Sequence, residues 1–210
     1  YPIILIHGFL GWGRDEMANY YYWGGRTDLE AVLREDGYEV YTVSVGPISP
    51  NFDRAIETFY QIKGGQVDYG NEKAERLGII QRPQQKIYTG LYPLWDSDHP
   101  VHIISHSQGG QTARMLEMLL KKSTPDETSP LLSNKNYDWI KSITTISTPH
   151  NGSTLVPIIM DIFPFALNLA PWFGGIEIKN IDNLYSFDLE QWGVERYPGE
   201  LLMEYYQRIG

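Results

Sequence analysis

The segment from Val101 to Leu120 constrains the fold more than any other part of the chain. Val101-His102-Ile103-Ile104 is a β-branched run. Ser105-His106-Ser107-Gln108-Gly109-Gly110 follows it directly, and Gln111 to Leu120 has the composition of a good helix. A strand that meets a helix across a serine flanked by glycines is the context of a nucleophile elbow. The turn is so sharp that the Ser107 hydroxyl stands alone at the C-terminal end of the strand. Its neighbours must be small because the strand and helix backbones nearly touch. The position two before the serine, usually glycine, is Ser105, a small but imperfect substitute. The bland reading of the same residues is a small-residue turn without chemistry.

With 210 residues the chain suits one domain with a sizeable core. An apolar content of 42% with 20% charged residues argues against disorder. The net charge is −9, and the sequence has no basic stripe of the kind that nucleic acid requires. Recruitment to anionic lipid by charge is excluded on the same ground, so any contact with lipid has to be apolar. The lack of cysteine removes disulfide frameworks and thiolate chemistry. No signal peptide is visible, and the longest apolar stretches are broken by Pro, Asp or Gly, so no transmembrane span is expected. The chain enters a buried strand by Ile3, which reads as a chain cut at both ends.

Pro2 to His7 is a continuous apolar run, as expected of a strand buried on both faces of a parallel sheet. Thr27 to Gly37 has a Thr/Asp start, apolar residues at 29, 32 and 33, and a glycine stop, and predicts a helix. Tyr38 to Val45 predicts the next strand. Asp53 to Lys63 predicts a helix capped by Asn51 or Asp53, with Ile56, Phe59, Tyr60 and Ile62 inward. Residues 66–100 read as irregular apart from a short helix near Asn71–Leu77. The strand 101–106 and helix 108–122 flank the elbow, 123–138 reads as a polar loop, and Ser142 to Ser147 as a further strand. Alternating strands and helices predict an α/β fold with a mostly parallel sheet and flanking helices. Chemistry in such folds sits outside the carboxyl ends of the strands, where His7, Ser107 and Thr148-Pro149-His150 all fall.

Several segments stand in one order: His7-Gly8-Phe9-Leu10-Gly11-Trp12, Tyr22-Trp23-Gly24-Gly25, Val67-Asp68-Tyr69-Gly70, the elbow, Thr148-Pro149-His150-Asn151-Gly152 and Gln191-Trp192-Gly193. Together they closely resemble the secreted bacterial triacylglycerol lipases of the staphylococcal and thermoalkaliphilic Bacillus type. The resemblance implies an α/β-hydrolase fold whose C-terminal portion is absent, with an accessory insertion at about 51–98 and a lid region at about 155–178. It implies secretion and the hydrolysis of lipid esters at an oil–water interface, with no organic cofactor. Ser107 is then the nucleophile. The backbone N–H groups of Phe9 and Gln108 form the oxyanion hole, where negative charge develops on the carbonyl oxygen. A phospholipase or acyltransferase uses the same parts, and a non-catalytic lipid-binding protein on a degenerate hydrolase fold keeps some of them.

A serine nucleophile needs a base, and in this fold the order is Ser, acid, His. The only histidine after Ser107 is His150, and the resemblance places it in a strand-end turn near the site, not as the base. His7 and His106 read as structural hydrogen-bonding residues, and His99 and His102 as packed or surface residues. The family's catalytic acid, catalytic histidine and calcium ligands match positions beyond Gly210. The chain is therefore expected to be a fragment, inactive alone, with calcium possible in the missing part. The alternative is a hydrolase that lost its base. The family's structural zinc is held by two aspartates and two histidines, and the matched positions here are Asp53, Lys73, Ile79 and Glu190. No zinc is expected. Lys73 either neutralises Asp53 and Glu190 or points to water. The apolar segment from Leu155 to Phe173 reads as a lid over the acyl pocket or as a core helix pair. Asn151-Gly152-Ser153 fits a glycosylation sequon but reads as a turn.

Overall fold

A computed structural model describes residues 1–153, 188–194, 197, 200, 204 and 208. The lid region expected at about 155–178 lies outside them. The described elements are β1 (Ile3–Ile6), α1 (Leu29–Glu35), β2 (Val40–Val43), α2 (Asn51–Lys63), β3 (Gly65–Gln66), α3 (Asn71–Leu77), β4 (Ile87–Tyr88), β5 (Val101–His106), α4 (Gln108–Lys121), α5 (Pro130–Ser133) and β6 (Ile140–Ile146). A 3-10 turn spans Glu190–Trp192.

Four strands form a sheet in the order β2-β1-β5-β6, and every pairing in it is parallel. β1 pairs with β5 in the register Ile4↔Ile103 and Ile6↔Ser105. That register brings the end of β1 beside the elbow. Burial along β5 alternates, with Val101, Ile103 and Ser105 turned inward. Val101 and Ile103 join Ile4, Ile6 and Val43 in one core with Ile56 and Ile62 of α2 and Ala113, Leu116 and Leu120 of α4. β1 is buried continuously from Ile4 to Ile6, as its unbroken apolar run predicts.

Three details differ from the sequence expectation. α2 starts at Asn51 behind Pro50, without a side-chain cap; the Asp53 carboxylate that could cap it is engaged by Lys73. The stretch 66–100 contains a short antiparallel pair, β3 with β4. The polar loop 123–138 contains α5, which starts with Pro130 and buries Leu131 and Leu132. Proline at the first helical position is a recognised start signal, since its missing N–H would have no partner there anyway.

α2 is buried on all sides from Asp53 to Ile62, although Asp53, Arg54, Glu57, Thr58 and Gln61 are polar. Buried charge is tolerable only when paired and hydrogen-bonded. Glu57 accepts from the Gly46 amide (2.7 Å), the Tyr69 hydroxyl (2.6 Å) and the Lys86 ammonium (2.7 Å). Although burial opposes it, the carboxylates of Glu57, Asp188 and Glu190 hold Lys86 well above its ordinary pKa. The other two buried charges of α2, Arg54 and Asp53, reach toward the end of β1 and toward α3.

Candidate active site

Ser107 follows β5 with φ 53° and ψ −123°. A non-glycine residue is strained in that region and persists only where its surroundings hold it. The Ser107 amide donates to the Ile146 carbonyl (2.8 Å), and the Gly110 amide donates to the Ser107 carbonyl (3.1 Å). The crowding expected of an elbow is present. A Cβ on Gly109 would lie 2.7 Å from the His7 carbonyl oxygen and closer still to that of Ile6, and one on Gly110 would meet the Thr148 side chain. Ser105, in the usual glycine position, is fully buried and its hydroxyl donates to the Thr144 carbonyl (3.2 Å). That hydrogen bond accounts for a serine being accommodated there.

The loop after β1 runs alongside the elbow. A Cβ on Gly8 would sit 2.8 Å from Ser107 Cβ and 3.1 Å from the His106 carbonyl oxygen. Gly8 is thus glycine because the loop touches the serine. Phe9 follows it, half-buried, and Leu10 has φ 55°, its amide donating to the Pro47 carbonyl (2.9 Å). Gln108 opens α4, where the first backbone N–H groups lack intrahelical partners and the helix dipole favours negative charge. Its side-chain Nε2 donates to the Ser49 carbonyl (3.2 Å).

His7 is fully buried. Its Nε2 lies 3.2 Å from the Val45 amide, which can only donate, so Nδ1 carries the proton and donates to the Gly8 carbonyl (2.9 Å). Burial, with the Arg54 charge added to it, lowers the His7 pKa to about 3. The ring is neutral at physiological pH and braces the loop. Arg54 of α2 is also fully buried, and it donates to the carbonyls of His7 (2.5 Å) and Gly46 (2.7 Å) and to the Thr112 hydroxyl (3.0 Å). The sequence reading missed Arg54 and Tyr22. Arg54 carries no local signal, because the polar residues of α2 suggest a wet face and its partners His7, Gly46 and Thr112 lie on other segments. Tyr22 carries none beyond its family segment, because its partners lie far along the chain.

None of the five histidines hydrogen-bonds Ser107 among the described residues. His106 Nδ1 meets the Tyr22 hydroxyl (2.5 Å). His99 pairs with Asp96 (2.9 Å) and His102 with the Ser142 hydroxyl (2.7 Å). His150 is exposed, with its ring nitrogens at Arg114 (3.3 Å) and the Thr145 hydroxyl (3.0 Å). Ser107 thus lies against the loop after β1 and directly before Gln108 at the start of α4, and no histidine among the described residues reaches it.

The positions matched to the family's zinc ligands do not fit that metal. The fully buried Asp53 is in contact with the Lys73 ammonium. Lys73 Nζ lies 5.0 Å, 5.4 Å and 6.0 Å from the ring centroids of Phe52, Tyr69 and Trp192. Ile79 is buried and alkyl. Glu190 Oε2 lies 3.5 Å from Lys86, so the cation beside Glu190 is Lys86, where the sequence suggested Lys73 for both carboxylates. An ammonium ion and an alkyl group have no lone pair for zinc. Among the described residues, no group of three or more His, Cys, Asp or Glu side chains could hold a metal.

A parallel sheet with helices on it and a strained serine between strand and helix define the α/β-hydrolase type. The chain belongs to the family described as Lipase-like, C-terminal domain, which it matches over residues 1–210. It is 36% identical to a lipase of Staphylococcus epidermidis and 37% identical to lipase 2 of Staphylococcus aureus. Those alignments cover 99% and 100% of this chain and 32% of each relative, so the chain spans about a third of their length. Among solved structures, lipase 1 from Pelosinus fermentans is 42% identical with a TM-score of 0.88, covering all of this chain and 57% of that one. EstA from Clostridium botulinum is 37% identical with a TM-score of 0.89, covering all of this chain and 50% of its own.

Proposed function

We propose that the protein is a serine hydrolase that cleaves carboxylic esters of lipids, a lipase or esterase, through an acyl-enzyme on Ser107. The observation that carries this reading is the strained Ser107 at the mouth of α4, with Gly8 pressed against its Cβ. The Ser107 Oγ attacks the ester carbonyl carbon, and its proton passes to a base. The carbonyl oxygen becomes an oxyanion between the Phe9 and Gln108 amides, where preorganised donors lower the barrier. As the carbonyl re-forms, the ester C–O bond breaks and the alcohol leaves with the proton. Water then attacks the acyl-enzyme in the same way and frees the acid. The base in this reading is a histidine outside these 210 residues, so the chain alone is expected to turn over no ester. The staphylococcal lipases support a lipid ester substrate; in this reading the enzyme meets it at an oil–water interface after secretion. No helix among the described residues is long and apolar enough to cross a membrane.

The test is Ser107→Ala in the full-length protein, assayed on emulsified triacylglycerol and on a soluble short-chain ester. Loss of the nucleophile in a triad costs on the order of a millionfold in rate, so both activities should vanish while the melting temperature stays close to that of the parent. Retained turnover of either substrate by the variant would refute the reading.

A further inference from the structure

Gly8 poses a mechanical problem. Contact with Ser107 demands glycine there, and glycine is the residue whose backbone is freest to rotate. The amide that follows belongs to Phe9 and is useful only if its direction is fixed. The flanks are anchored: Arg54 donates to the His7 carbonyl, and the Leu10 amide donates to the Pro47 carbonyl. The Gly8 carbonyl, which shares a peptide plane with the Phe9 amide, accepts from His7 Nδ1 (2.9 Å) and from the Gly11 amide (3.1 Å). At the Gly8 amide the anchor is a side chain from elsewhere. The Gly8 amide donates to the Tyr22 hydroxyl (2.9 Å), and the same hydroxyl lies 2.5 Å from His106 Nδ1, one residue before the nucleophile.

We propose that Tyr22 is a positioning residue of the oxyanion hole: its hydroxyl ties the Gly8 amide to His106 and so fixes the Phe9 amide relative to Ser107. This rests on the reading of Ser107 as nucleophile. A phenol has one proton to give. With Gly8 donating to its oxygen, that proton bridges to His106 Nδ1 in the Nε2–H tautomer of His106, and in the Nδ1–H tautomer the ring donates to the phenol oxygen instead. Burial raises the Tyr22 pKa, which keeps the hydroxyl protonated. The ring is held independently of the hydroxyl, edge-on to Trp12 (5.5 Å between centroids) and Trp23 (5.6 Å). Phenylalanine would keep that packing and lose only the bridge.

The bridge acts on reacting geometry, where a misplacement of about 1 Å costs on the order of a hundredfold. In the full-length protein, Tyr22→Phe should therefore lower kcat on a soluble ester by about 10- to 100-fold, with KM changed less than about threefold. Inactivation by a serine-directed phosphonate, whose transition state uses the same hole, should slow in proportion. His106→Phe removes the other end of the bridge and should lower kcat similarly. The double variant should be no worse than about the poorer single one, since both delete one interaction. A role in packing alone would lower stability and leave kcat per folded molecule unchanged. Wild-type kcat in a folded Tyr22→Phe would overturn the proposal. If Tyr22→Phe does not fold, His106→Phe decides it by the same criterion. Ser107→Ala run in parallel separates the two claims: inactive Ser107→Ala with fully active bridge variants refutes only the bridge, whereas active Ser107→Ala refutes the nucleophile itself.

Discussion

At the scale of single residues, the polar side chains around the elbow act as braces. His7 shows the consequence for pH. Its folded pKa of about 3 lies below the ordinary value of 6.5. Between those values the unfolded chain binds a proton that the folded one refuses, so the contribution of neutral His7 is complete above pH 6.5 and is lost as the pH falls toward 3. One such proton gives a slope of at most about 1.4 kcal/mol per pH unit. Urea denaturation at a series of pH values should show this slope, and His7→Gln, less stable at pH 7.5, should show a shallower one. Equal slopes would mean that other groups govern acid sensitivity. Arg54→Met should destabilise by several kcal/mol, because the freed carbonyls each cost about 1–3 kcal/mol when left buried and unpaired. The sharp turn at Ser107 and Gln108 could be read from the sequence because a local pattern marks it, whereas Phe9 rests on the family resemblance. Tyr22 could not be read, since its ties to Gly8 and His106 cross 14 and 84 residues.

At the scale of elements, the apolar runs of β1 and β5 and the helix after the elbow were legible because their periodicity is local. β3 and β4 were not: each is two residues long and exists only through pairing across a loop. α2 was legible as a helix but not as a helix buried all round, because its polar residues suggest a wet face. Their partners, Lys73 and Lys86, come from later segments. Lys86→Met would leave Glu57 buried without its cation and should destabilise by about 3–5 kcal/mol, as removal of one partner of a buried pair does. Chemical denaturation measures it, and a change near zero would show that the Tyr69 and Gly46 donors suffice. The elbow contacts make a second case. Gly109→Ala would press a methyl against the backbone carbonyls at the end of β1, where nothing flexible can yield. It should cost about 1–3 kcal/mol and shift α4 away from the sheet.

At the scale of the whole molecule, the parallel sheet sets Ser107 and the loop after β1 at the carboxyl ends of its two central strands, and the buried charges of α2 tie that end to the region of α3 and the 190–192 turn. At the positions that the resemblance matches to zinc ligands, the chain puts ammonium groups beside carboxylates. The purified full-length protein should accordingly carry no stoichiometric zinc at this position, and its melting temperature should not respond to chelators that leave calcium bound. One zinc per chain, lost in Asp53→Ala, would contradict that. The central claim is narrower and concerns one hydroxyl. Peptide mapping of the full-length protein after treatment with a serine-directed phosphonate tests it most directly. The account predicts a single adduct, on Ser107, formed in step with the loss of ester hydrolysis. An adduct on any other residue accompanying that loss, or complete loss with Ser107 unmodified, would contradict it.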